Sequence, residues 1–260
     1  MPRTRVLPPG WYPATAAGVQ SALDAWEEEL PTESREFNAV IVPHAGWAFS
    51  GRIAYRTLRR LAPQADTIAV IGGHLRPGEP VHLAPEEGYE TPLGLLPAND
   101  KLSQRIADAL ETAADARPDN TVEVQLPFVH ALYPEARALY LRCPPDRTAV
   151  ALGDTLSAFQ QESGQRLLVV GSTDLTHYGP AYGFVSHGRG ATAARWAREQ
   201  NDRQIVDAMC RMDGELTLSL ARENLAACSA GAAVAAMSFA RAAGAAEGTL
   251  VEYGQSYDVR

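Results

Sequence analysis

The chain has 260 residues, 46% hydrophobic and 21% charged, the usage of an ordinary packed protein, which excludes a disordered or fibrous architecture and makes one domain over residues 1–260 the expectation. Its 31 acidic against 23 basic residues give a formal net charge of -8, leaving no positive reservoir for a nucleic-acid backbone or an anionic membrane surface. Three cysteines are an odd number that argues against a disulfide framework and for a reducing compartment. With no signal-type apolar run at the start and no stretch of about 18 apolar residues, a cytoplasmic protein without a membrane span is expected.

In chain order, the first predicted element is a helix. Val19, Leu23, Trp26 and Leu30 recur at the spacing of one buried face, with Glu27, Glu28 and Glu29 on the solvated side. Residues 39–42 follow as a short β-branched strand stopped by Pro43, and beyond Ser50-Gly51 the positions Ile53, Thr57, Leu58 and Leu61 predict a second helix. The same grammar repeats: apolar runs at 67–71, 139–142 and 167–170 end on Gly72-Gly73, Pro144-Pro145 and Gly171. Helical spacing marks Leu102/Ile106/Leu110, Val122/Leu126/Val129/Tyr133 and Val150/Leu156/Phe159. Strands alternating with helices predict an α/β fold with a largely parallel central sheet flanked by helices. Helices near 191–223, an alanine-rich helix after Cys228 and a strand at 249–253 complete the expectation.

In an open α/β sheet, ligands bind outside the carboxyl ends of the strands. Three of the six histidines and one aspartate fall there: His44 in Pro43-His44-Ala45-Gly46, His74 after Gly72-Gly73, and Asp174 and His177 within 172–179. A lone loop histidine is more often a hydrogen-bonded scaffold residue than a ligand, and Asp174 could instead cap a helix beginning near Leu175. Their coincidence at three strand ends is what favours a site. Cys228, at the predicted start of the last long helix, stands where the helix dipole favours a thiolate. The commoner fate of an intracellular cysteine, a small core hydrophobe, is expected for Cys143 and Cys210. His82, His130 and His187 have no comparable setting and are read as structural or surface residues. No P-loop, Gly-rich dinucleotide fingerprint, nucleophile elbow or His-Glu-x-x-His helix occurs. A hydrolase built on Ser50 or Ser172 stays open, although neither serine lies on a Gly-x-Ser-x-Gly turn.

Seven segments in order, nearly end to end, resemble the Memo family, called AmmeMemoRadiSam system protein B in prokaryotes. They are Gly10-Trp11-Tyr12-Pro13, Pro43-His44-Ala45-Gly46 with Ser50-Gly51, Tyr89-Glu90-Thr91-Pro92-Leu93, Val122-Glu123-Val124-Gln125-Leu126-Pro127-Phe128, Ser172-Thr173-Asp174-Leu175-Thr176-His177-Tyr178-Gly179, Cys228, and Tyr253-Gly254-Gln255-Ser256. The resemblance implies a fold similar to the class III extradiol dioxygenases, non-haem iron enzymes that cleave catechol rings. It also implies His44, His74 and Cys228 as the metal-facing set, with Asp174 and His177 lining the same pocket. The chain departs from the family pattern at His74-Leu75, where two adjacent histidines are frequent, at Ser229, where glycine usually follows the cysteine, and at Asn120, where histidine is usual.

Two imidazoles and one anionic ligand leave positions open on a metal, the arrangement that lets non-haem Fe(II) bind substrate and dioxygen together. Fe(II) is the expected cofactor, and the softer thiolate also suits copper or zinc. His177 is the expected acid or base, and Asp174 the group that orients an imidazole. The expected function is a metal-binding, dioxygenase-like oxidoreductase acting on a small molecule. The alternatives are a non-catalytic metal carrier or peptide-binding scaffold on the same fold, and a metal-dependent hydrolase.

Overall fold

The computed structural model of the chain describes residues 1–259. Helix α1 (Ala16–Glu29) is N-capped by Thr15, whose side chain accepts from the Gly18 N–H, and it buries Val19 and Leu23 as the periodicity predicts. Strand β1 (Ala39–Val42) stops at Pro43, and a π-helical turn at Trp47–Gly51 leads into α2 (Arg52–Leu58) and then β2 (Thr67–Gly72). Next come β3 (Val81–Leu83), the hairpin of β4 (Gly88–Thr91) and β5 (Gly94–Pro97), α3 (Asp100–Ala109) and β6 (Thr112–Ala114). Helices α4 (Asn120–Glu123) and α5 (Leu126–Leu132) precede β7 (Arg137–Arg142), α6 (Arg147–Ser163) and β8 (Leu167–Ser172). The described chain closes with α7 (Gly190–Trp196), α8 (Asp202–Cys210), α9 (Gly214–Asn224) and α10 (Ala230–Ala242).

The central sheet has the order β1-β8-β2-β7-β3-β6. Strands β1, β8, β2 and β7 are mutually parallel, with Val40 beside Val170 and Val70 beside Tyr140, whereas β3 runs antiparallel to β7. Side chains alternate between two cores. Ile68, Val70, Ala138, Tyr140, Leu168 and Val170 pack on one face with Trp47, Leu58 and Phe128. Ala69, Ile71, Leu139, Leu141, Leu167 and Val169 pack on the other with Leu156, Ala232 and Phe239. Each fully buried Leu, Ile or Phe contributes about 1.5–3 kcal/mol, so both faces must be covered for the strands to stay paired.

Helix α10 is rich in alanine because it lies very close to the sheet. A Cβ on Gly171 of β8 would meet the Ala232 carbonyl oxygen at 2.6 Å, and one on Gly231 would meet the Cys143 carbonyl oxygen at 2.7 Å. Among the described residues no helix is long and apolar enough to cross a membrane.

Several expectations are corrected. No strand forms at 249–253; the segment has no ladder and is held by side chains such as Glu252 on Arg52 and Arg56 and by Tyr253 Oη donating to Asp202 Oδ2 at 2.6 Å. The helix drawn through Val122, Leu126, Val129 and Tyr133 is two short helices, because Pro127 in the first turn of α5 has no N–H to offer the Glu123 carbonyl. Val150 is 43% exposed, and the buried face of α6 is carried by Ala149, Leu152, Leu156 and Phe159. Cys210 is only partly buried, unlike Cys143, which is fully enclosed. No helix begins at Leu175, so Asp174 caps none. Strands β3 to β6 are short and lack a long apolar run, which is why periodicity passes over them.

Candidate metal centre at the strand ends

Four parallel strands place their carboxyl ends, Val42, Ser172, Gly72 and Arg142, along one edge of the sheet, and the loops that follow converge there. The loop after β1 delivers His44, which is 1% exposed. Its Nδ1 lies 3.2 Å from Ser172 Oγ and its Nε2 lies 3.1 Å from Cys228 Sγ. The backbone of His44 is clamped as well: its N–H donates to Asp174 Oδ1 at 2.7 Å, and its carbonyl accepts from Asn120 Nδ2 at 3.1 Å. Gln125 Nε2 steadies the same corner by donating to the Pro43 carbonyl at 2.7 Å and to Ser172 Oγ at 3.2 Å.

The loop after β2 delivers His74, a non-glycine residue at a left-handed φ of 57°. Gly73 before it has no room for a side chain, since a Cβ would meet Ser229 Cα at 2.8 Å. That close approach sets Cys228-Ser229 against the end of β2. His74 Nδ1 lies 3.0 Å from Asp119 Oδ2, and the two histidine rings meet edge to face with centroids 5.3 Å apart. Cys228 sits just before the N-cap Ser229 of α10; its N–H donates to the Asp174 carbonyl at 3.2 Å, and the Ser229 N–H donates to Thr173 Oγ1 at 3.1 Å.

The ligand atoms of His44, His74 and Cys228 all lie within 4.8 Å of one another, a group that could hold a metal ion. The donor chemistry fits. Burial alone would raise the Cys228 thiol, but the charge and hydrogen bond of His44 and the hydrogen bond of His74 outweigh it and bring the thiol well below its usual range, toward the thiolate that metal binding requires. The Asp119 hydrogen bond, seconded by Cys228, pushes His74 up to about 10 against the effect of burial. Burial would likewise raise Asp174, yet the charge of His44 and the hydrogen bonds of His177 and of the His44 N–H hold it at about 2.

Asp174 and His177 come to the same place as the triad. Asp174 Oδ2 is 3.4 Å from His177 Nε2 and 3.8 Å from His44 Nε2. His177 and Asp174 also line a cleft of about 1360 Å³ together with Pro43, Thr173, Tyr182 and Tyr253, so they are shared by the site and the space a small molecule could enter. The other three histidines lie elsewhere: His82 faces Arg142, His130 pairs with Thr91 Oγ1 at 2.7 Å, and His187 stacks on Trp196 at 3.7 Å. Ser172 is fully buried behind His44 and does not reach the cleft, whereas Ser50, at the cleft wall, donates its hydroxyl to the Ala45 carbonyl at 3.0 Å.

Sequence reasoning missed Asp119, Gln125, Thr121 and Arg142, all of which hold the site from behind. The one signal for Asp119 is its place before Asn120-Thr121 at the start of α4, where an acidic N-cap is usual.

The comparisons with known proteins span nearly the whole chain. A MEMO1 family protein of Methanosarcina acetivorans is 29% identical over 256 residues, covering 96% of this chain and 90% of the relative. One from Pyrococcus furiosus is 28% identical over 275 residues, covering 100% of this chain and 94% of the relative. Another, from Thermococcus kodakarensis, is 28% identical over 272 residues, covering 95% and 93%. The family model for Memo-like protein matches residues 6–260, and a match of that extent takes in every segment that builds the strand-end site: the chain belongs to the Memo-like protein family.

Proposed function

We propose that the protein binds a transition-metal ion through His44, His74 and Cys228 and acts as a non-haem, dioxygenase-like oxidoreductase on a small molecule in the adjoining cleft. The observation that carries this reading is the convergence of two imidazoles and one cysteine sulfur at the strand ends, with the Nδ1 atom of each ring engaged behind it by Ser172 and Asp119. Bound there, Fe(II) would supply open coordination positions for substrate and dioxygen. His177 faces the cleft and can hold or deliver a proton, its basicity raised by the Asp174 hydrogen bond against the effect of burial. The Asp174 carboxylate orients the His177 ring through Oδ2 and accepts from the His44 backbone N–H through Oδ1. Asn120 cannot titrate in the neutral range, and its amide serves to tie down the His44 carbonyl.

Anaerobic metal analysis followed by oxygen-consumption measurements on aromatic diols tests the proposal. One ion per chain is expected, lost in His44→Ala and Cys228→Ala. Full metal occupancy in both variants would remove the ligand set. His177→Ala should lower turnover by about 10² to 10⁴-fold with metal content unchanged, and Asn120→Ala should cost far less. Loss of the metal in His177→Ala would make His177 a ligand instead. The softness of the thiolate favours a second reading, a copper or zinc carrier without turnover; bound metal with no oxygen uptake on any diol would select it.

A further inference from the structure

Behind His74 lies a buried polar relay that the metal-facing residues do not account for. Asp119, 9% exposed, places Oδ2 at 3.0 Å from His74 Nδ1, while its Oδ1 accepts from the Thr121 N–H at 2.8 Å and from the Thr121 hydroxyl. Thr121 Oγ1 in turn accepts from the Gly73 N–H at 3.2 Å. Arg142, 4% exposed, lies beneath both. Its Nη1 is 3.4 Å from Asp119 Oδ2 and 3.5 Å from the Gly73 carbonyl. Its remaining fork is occupied by Asp115, which accepts from Nε at 2.8 Å and from Nη2 at 2.7 Å. Asp115 itself is fully buried, with its carbonyl taking a hydrogen bond from Arg3 at 2.6 Å.

Removing these charges from water costs several kcal/mol each, and a buried ionic cluster of this kind is frequently no more stabilising than an apolar one. Fold stability therefore does not account for it well. What the cluster does hold is the conformation of one residue. His74 adopts a left-handed backbone, unfavourable for a non-glycine residue, which persists only when its surroundings over-determine it. Arg142 and Thr121 grip Gly73 immediately before it, and Asp119 grips its ring. The His44 side is built differently, since its Nδ1 meets the neutral hydroxyl of Ser172, which Gln125 supports.

The geometry points to Asp119 and Arg142 as positioning residues of the metal centre, which fix the ring orientation of His74 and make it the stronger donor of the two imidazoles. This rests on the assignment of His44, His74 and Cys228 as ligands. A carboxylate behind a histidine ligand locks the tautomer that donates from Nδ1 and leaves the other nitrogen free for the ion, and loss of such a partner typically weakens metal binding about 10–100-fold.

Anaerobic titration with Co(II), whose visible spectrum reports ligand number and thiolate coordination, separates this inference from the assignment beneath it. Asp119→Asn keeps the size of the side chain and removes its charge. It should retain the thiolate charge-transfer absorption, shift the ligand-field bands, and raise the Co(II) Kd by about 10–100-fold, with the fold monitored by circular dichroism. Should Asp119→Asn not fold, Thr121→Val, which removes only the hydroxyl joining Asp119 to Gly73, should weaken Co(II) at least about threefold. A Kd and spectrum matching the wild type in the folded variant would overturn the positioning role, even if unfolding became easier. If the wild type takes up no Co(II), or holds it unchanged in both His44→Ala and Cys228→Ala, the ligand assignment itself fails.

Discussion

Around Cys228, Cys143 and Cys210 the same atom meets three environments. Cys228 is partly exposed beside two imidazoles, whereas Cys143 is enclosed in the core, where burial pushes its thiol far up. Cys210 is partly buried, and burial together with the nearby Asp207 also raises it. Since the thiolate is the nucleophile, iodoacetamide should label Cys228 of the metal-free protein at least about tenfold faster than Cys143. Metal should protect it. Mass-spectrometric labelling that found Cys143 or Cys210 faster would contradict the environment assigned to Cys228. At this scale His44, His74, Asp174, His177 and Cys228 were legible because each follows a strand or precedes a helix in a pattern visible along the chain. Asp119 was not, because its importance comes from Arg142 and His74, residues 23 positions after it and 45 before it that only folding brings near.

Among the elements, α10 and α6 carry the clearest tests. Gly231 lies in the first turn of α10, with the Cys143 and Pro144 carbonyls where its side chain would be. Gly231→Ala should therefore push the helix start away from β7, destabilise the protein by about 1–3 kcal/mol, and weaken metal binding by displacing Cys228. Urea unfolding with a parallel Co(II) titration measures both, and an unchanged Co(II) affinity would show that the Cys228 loop is independent of the helix position. Helix α6 is capped by Asp146, whose Oδ1 accepts from the Thr148 N–H at 2.8 Å and whose Oδ2 accepts from the Gly78 N–H at 2.6 Å. Partial burial opposes ionisation, but these hydrogen bonds prevail and hold the carboxyl below its usual value. A depressed folded-state value means the stabilisation is complete above the unfolded pKa of about 3.9 and is lost as pH falls through the folded value. Asp146→Ala should cost about 1 kcal/mol near neutrality, and its difference from the wild type should shrink as the pH is lowered toward about 3. A difference that stayed constant over that range would rule out the charged cap. The long periodic helices were predictable because each has a face of its own to bury. The hairpin, β3 and β6 were not, because they lack the unbroken β-branched run that marks the equally short β1 and take their stability from neighbours.

For the molecule as a whole, the alternation of apolar strands with amphipathic helices was enough to determine an α/β fold with a largely parallel sheet, since a strand buried on both faces must be flanked by helices. It was also enough to put three histidines and one aspartate at strand carboxyl ends. The order of the strands was decided by tertiary packing: β8 enters between β1 and β2, and β3 turns antiparallel against β7. Segment 249–253 shows the same limit in reverse. Its strand-like residues predict a closing strand after the four earlier ones, yet Glu252 is drawn to Arg52 and Arg56 and Tyr253 to Asp202, so the segment is held by its side chains without a backbone ladder. What the sequence determined by itself was periodicity, and with it the element types and the candidate site residues that follow strands. Only the tertiary structure decided which partners stand behind those residues, because the relay from Asp115 through Arg142 and Asp119 to His74 joins residues whose proximity is created by folding.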